Sequence, residues 1–142
     1  GRMKMRGSYY AKSLCALIAL STALSCGRIS GTFALKYPME DSYRRVQGDL
    51  EIDKEVPVQW VFKLDKVPSE KTPIGVMLMK KELVWVDVLI QNAVAGPENA
   101  VIYGTIRDLD EGSYKIMLTD VRKSSEIAEL EFMIYSDDDE FE

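Results

Sequence analysis

At 142 residues, 46% of them apolar, the chain is long enough for one domain with its own core and too short for two. Its 18 Lys and Arg against 23 Asp and Glu leave a net charge of −5, which disfavours nucleic acid, a partner that demands clustered cations. Histidine is absent and both cysteines, Cys15 and Cys26, fall within the first 26 residues. That excludes His-assisted Ser or Cys nucleophiles, imidazole bases, Cys/His zinc sites and an internal disulfide from the rest of the chain.

The charge is segregated. Up to Ser25 the chain carries Arg2, Lys4, Arg6 and Lys12 and no acid, while the remainder carries 14 basic and 23 acidic residues. Read from Met3 or Met5, with Gly1 and Arg2 left out, this is a basic leader followed by SLCALIALSTAL, Ser13 to Leu24. The uncharged run is short of the roughly 20 residues that a membrane-spanning helix needs, and it suits a signal-peptide core. It ends in Ala23-Leu24-Ser25-Cys26, which resembles a bacterial lipoprotein signal, with the leucine two places before the cysteine. The resemblance implies a signal peptide over 1–25 and lipidation of Cys26 as the mature amino terminus. It also implies an exported domain anchored on the periplasmic or outer-surface side of a bacterial membrane. Ala23 and Ser25 equally satisfy the small-x-small rule for ordinary secretory cleavage, and an uncleaved anchor or buried helix is the third reading.

Residues 26–43, with Gly27, Gly31 and Pro38, read as a tether or a loosely held first strand, ahead of a sandwich domain over 44–135. In VPVQWVFKLDK the residues Val56, Val58, Trp60, Phe62 and Leu64 alternate with a more polar set, the pattern of a half-buried strand. PSEKTP is a turn, and IGVMLMKKE and LVWVDVLIQN are two further strands. In the second, Val84, Val86, Val88 and Ile90 form one face, and Leu83, Trp85 and Leu89 make the other nearly as apolar. A strand apolar on both faces is expected at the centre of a sheet, or else under a partner. AGPEN breaks the chain, AVIYGTIRDL resumes it, and SYKIMLTD and AELEFMIY form a hairpin about the RKSSE turn. The acidic run 136–142, SDDDEFE, has little to bury and reads as a disordered tail. The expected fold is all-β, an immunoglobulin-like antiparallel β-sandwich of about seven strands.

The motif Asp110-Glu111-Gly112-Ser113-Tyr114-Lys115-Ile116 carries the family resemblance. It is similar to the tyrosine corner of immunoglobulin-like sandwiches, with Ile116 where antibody-type domains place a cysteine. With Gly104-Thr105-Ile106-Arg107-Asp108-Leu109 before it, the stretch resembles bacterial immunoglobulin-like and fibronectin-like modules. The resemblance implies that Gly112 makes the turn and that the Tyr114 hydroxyl ties back to upstream backbone.

Among candidate sites, Asp108, Asp110 and Glu111 could hold calcium from one tight loop, against the plainer reading of a structural turn. Asp87 is an acid in an apolar strand, better explained by a sheet edge or by Lys80 or Lys81 than by catalysis. Trp60 and Trp85 suit core packing better than a sugar platform. No catalytic residue and no cofactor are expected, and a small-molecule ligand is disfavoured. The expected function is a non-enzymatic binding or assembly domain of a bacterial cell envelope. Its membrane contact runs through Cys26, and its partner is an envelope or surface protein met through Leu83, Trp85 and Leu89. A protease inhibitor or adhesin working through the loops Pro68 to Pro73 or Ala95 to Asn99 is the alternative, and a carbohydrate- or calcium-binding module a further one.

Overall fold

The computed structural model describes residues 28–137. They form nine strands and no α-helix: β1 (Gly31–Lys36), β2 (Arg44–Arg45), β3 (Glu51–Asp53), β4 (Val58–Leu64), β5 (Thr72–Lys81), β6 (Trp85–Ala95), β7 (Val101–Ile106), β8 (Gly112–Asp120) and β9 (Ser125–Tyr135). Two sheets result, one ordered β2-β1-β4-β7 and the other β3-β9-β8-β5-β6, packed as a sandwich. The strands beyond the expected seven are β2 and β3, two and three residues long. β3 runs parallel to β9, whereas every other pair is antiparallel.

Alternation in the sequence explains the layering. Val58, Trp60, Phe62 and Leu64 of β4 turn inward and are buried, while Gln59 and Lys63 face solvent. Phe33 of β1 packs its ring on Phe62 at 4.9 Å and on Trp60 at 6.1 Å between centroids. From the other sheet Tyr114, Ile116 and Leu118 of β8 and Leu130, Phe132 and Ile134 of β9 complete the core, with Tyr114 stacked on Phe132. Residues 31–36, read from sequence as tether or first strand, are β1, paired along its length with β4.

Turn chemistry closes the hairpins. Buried Asp120 accepts hydrogen bonds from the backbone N–H groups of Arg122 and Lys123, and Ser124 adopts φ 51°, so the β8–β9 turn is fixed by its own side chain. At Gly112, φ is 147°, and the Tyr114 hydroxyl donates to the Asp110 carbonyl at 2.7 Å. This ties the loop before β8 to the core.

Candidate functional site

Among the described residues β6 is the outermost strand of its sheet, hydrogen-bonded to β5 on one side and to no strand on the other. Its two apolar faces therefore do not mark a central strand. The sequence pattern reported how apolar each face is and not which neighbours cover it.

A bulge alters the faces as well. Leu78 pairs with Leu89 and Met79 with Asp87, so Val88 is the extra residue and the alternation shifts phase there. Residues directly opposite share a face, so Trp85, Asp87, Ile90 and Val94 follow Lys81, Met79, Met77 and Pro73 on the outer side. Val86, Leu89, Gln91 and Ala93 follow Lys80, Leu78, Val76 and Ile74 on the inner side. The expected contact set is thereby divided among three places. Leu83 is fully exposed at the tip of the β5–β6 hairpin. Trp85 lies on the outer face, its ring under the Lys115 ammonium at 4.5 Å and the Lys81 ammonium at 6.0 Å. Leu89 points inward and is nevertheless 49% exposed.

Leu89 is exposed because no described residue stands opposite it. The facing sheet has four strands against five and ends at β7, leaving a cleft of about 580 Å³ between β6 and β7. Trp60, Leu78, Val88, Leu89, Ile106 and Leu109 line it, and among the described residues Arg107 is the one charged residue in its wall. Val88 and Ile90 are exposed on the two faces of β6, and Tyr103 on β7 is 77% exposed. Sequence reading placed Val88 and Ile90 on one face of the strand and missed Tyr103 and the cleft, because the faces depend on the bulge and the cleft on the sheet order.

The other candidates separate. Asp108 sits at φ 55°, its carboxylate 3.6 Å from Arg107, and Asp110 lies 4.0 Å from Lys54. Among the described residues no group of three acidic, Cys or His side chains is arranged to hold a metal ion. Asp87 is exposed on the edge strand, and Trp60 is a core residue. Residues of the two loops singled out for an inhibitor or adhesin, Ser69 and Lys71 with Gly96 to Asn99, share the wall of one hollow of about 440 Å³. Cys26 lies outside the described residues. Among the described residues no helix is long and apolar enough to cross a membrane.

No family model matches the chain, and no curated protein matches it. Among solved structures it is similar to a superoxide reductase (neelaredoxin) from Ignicoccus hospitalis, at 12% identity. That alignment covers 80% of this chain and 86% of that one, with a TM-score of 0.45. It is also similar to a beta-glucosidase from Listeria innocua in complex with glucose, at 11% identity and a TM-score of 0.36, over 73% of this chain and 16% of that one. Neither likeness, at these scores, assigns the chain a family or an activity.

Proposed function

We propose that the protein is an exported, lipid-anchored, non-enzymatic binding domain of a bacterial cell envelope, held by Cys26 and engaging a protein partner through the seam between β6 and β7. The observation that carries the reading is β6 itself. It is an eleven-residue free edge strand with Val86, Val88, Leu89, Ile90 and Val94 exposed. Soluble sandwiches protect such edges with charge, proline or a cover, because an open apolar edge pairs with whatever strand it meets. Between Val88 and Ala95 this strand has no charge and no proline. The basic leader, the uncharged run and Ala23-Leu24-Ser25-Cys26 support export and acylation.

Two measurements test the two halves of the proposal. Labelled palmitate should enter the wild-type protein and not Cys26→Ala, and unchanged membrane partition of that variant would remove the anchor. A photo-crosslinking residue at position 88, which lines the cleft, should yield one discrete adduct in cells, whereas the same probe at Lys63, on the opposite sheet, should not. Equal adducts from both positions would remove the edge as the contact.

A second reading has one observation in its favour, the hollow shared by the loops around Ser69 and Pro97. An inhibitor or adhesin would use that end of the sandwich, and substitutions there would then abolish capture of one soluble target.

A further inference from the structure

We infer that the partner's contact segment is an extended strand with apolar residues at alternate positions, which adds to the free edge of β7 and fills the cleft opposite β6. The inference rests on the reading that the seam binds protein, and it names what enters and where.

The free edge of β7 has peptide groups to offer, as that of β6 does. The Leu64 N–H donates to the Ala100 carbonyl at 3.0 Å, and the register continues from Lys63↔Val101 to Val58↔Ile106. In an antiparallel pair the lateral direction of the peptide groups alternates, so residues 100, 102, 104 and 106 address β4. Val101, Tyr103 and Thr105 then turn their N–H and C=O groups to the open side. All three are exposed, so no part of the described chain covers that edge.

Sheet geometry gives the depth. A strand added beside β7 would be the fifth of its sheet and would face the inner side of β6, covering Val88, Leu89 and Gln91. A strand added beside β6 would extend the other sheet and leave those side chains bare. Strand addition of this kind draws affinity from main-chain hydrogen bonds and specificity from alternate side chains. Here the inward side chains meet Trp60, Leu78, Leu89, Ile106 and Leu109. Arg107, the one charge in the wall, stands 3.6 Å from Asp108. The segment's inward residues are accordingly uncharged and aliphatic, and its outward residues polar, level with Tyr103. Gly104 contributes no side chain to the wall, and the Trp60 indole lies against it, so an entering aliphatic group at the middle of β7 meets the indole.

The test uses the purified protein and a capped, fluorescein-labelled peptide of about ten residues alternating Val or Ile with Ser or Thr. A peptide of the same composition with its apolar residues in one block serves as control. The alternating peptide should bind more tightly, change the emission of Trp60 in a Trp85→Phe background, and slow amide exchange at Tyr103 and Thr105. Tyr103→Pro removes an N–H that β4 does not use and should weaken binding about ten-fold. Leu89→Glu leaves β7 intact, puts a charge in the cleft, and should do the same. Slowed exchange on β6 instead of β7 would overturn this inference while leaving the seam as the binding region. Absence of saturable binding would overturn it too, with palmitate labelling and crosslinking from position 88 left to judge the proposed function. Self-association at the seam that excludes the peptide and is dissolved by Leu89→Glu would name a second copy as occupant and equally overturn it.

Discussion

A Cβ placed on Gly104 would stand 2.7 Å from Nε1 of Trp60 and 2.9 Å from Cε2 and Cζ2, so the glycine of β7 lies flat against the indole plane of β4. Within a strand, replacing glycine by alanine ordinarily reduces the entropy lost on folding and stabilises. Here the indole is held in the core, 3% exposed and packed on Phe33, and an alanine Cβ has to displace it. Overpacking outweighs the entropy gain, and Gly104→Ala should lower stability by about 1–3 kcal/mol in urea unfolding. An unchanged midpoint would mean that the two strands separate more easily than their packing indicates.

Tyr114 gives a prediction with a pH dependence. Its hydroxyl donates to the Asp110 carbonyl, and Tyr114→Phe should cost about 1 kcal/mol near neutral pH. Burial raises the phenol above its ordinary value of 10.0, with the Lys80 ammonium pulling it back and Asp110 adding to the rise. A phenol whose folded value exceeds its unfolded one favours folding fully below the unfolded value, and that contribution is lost as pH climbs through the folded value. Wild-type stability should therefore fall above pH 10, and the fall should be shallower in Tyr114→Phe. It should not vanish, because Tyr37 is also raised by burial, against Arg44 and with Glu40. Parallel urea titrations at neutral pH and above pH 10 measure both effects.

Period-two alternation made the sandwich legible, since Val58 to Leu64 and Tyr114 to Leu118 each write one buried face into the chain. Arg44–Arg45 and Glu51–Asp53 gave no such signal. They are too short for a period and mostly charged, and they become strands only because β1 and β9 offer free edges. The site was half legible. The apolar excess around Leu83 to Ile90 stood out, but its location at an edge is a long-range fact that depends on β5 taking β8 as its other neighbour. The grouping of Leu83, Trp85 and Leu89 on one face failed for a local reason, the single extra residue at Val88.

The loop of Asp108, Asp110 and Glu111 supplies a third prediction. Two of its three carboxylates, Asp108 and Asp110, are drawn toward separate cations, Arg107 and Lys54, and the Asp110 carbonyl is occupied by the Tyr114 hydroxyl. Adding calcium or a chelator should leave the melting temperature unchanged to within about 1 °C, since a ligand stabilises only if it binds the native state. A rise of several degrees in calcium, abolished by Asp110→Asn, would restore the loop as a cation site.

The exposed edge predicts a solution behaviour that separates folding from association. Ile90 is 61% exposed on the outer face of β6, so Ile90→Lys removes little buried area and should keep the urea midpoint close to wild type. A lysine on an edge strand brings an unpaired charge into any sheet that would continue across it, which is how natural sheets resist edge-to-edge growth. Light scattering at rising concentration should show wild type associating edge to edge through β6, without excluding the alternating peptide from β7, and Ile90→Lys remaining monodisperse. Met133→Lys is the matching control, because Met133 is similarly exposed but lies on β9, a strand with a neighbour on each side. It should associate like wild type, and equal suppression by both lysines would trace the effect to net charge and remove β6 as its origin.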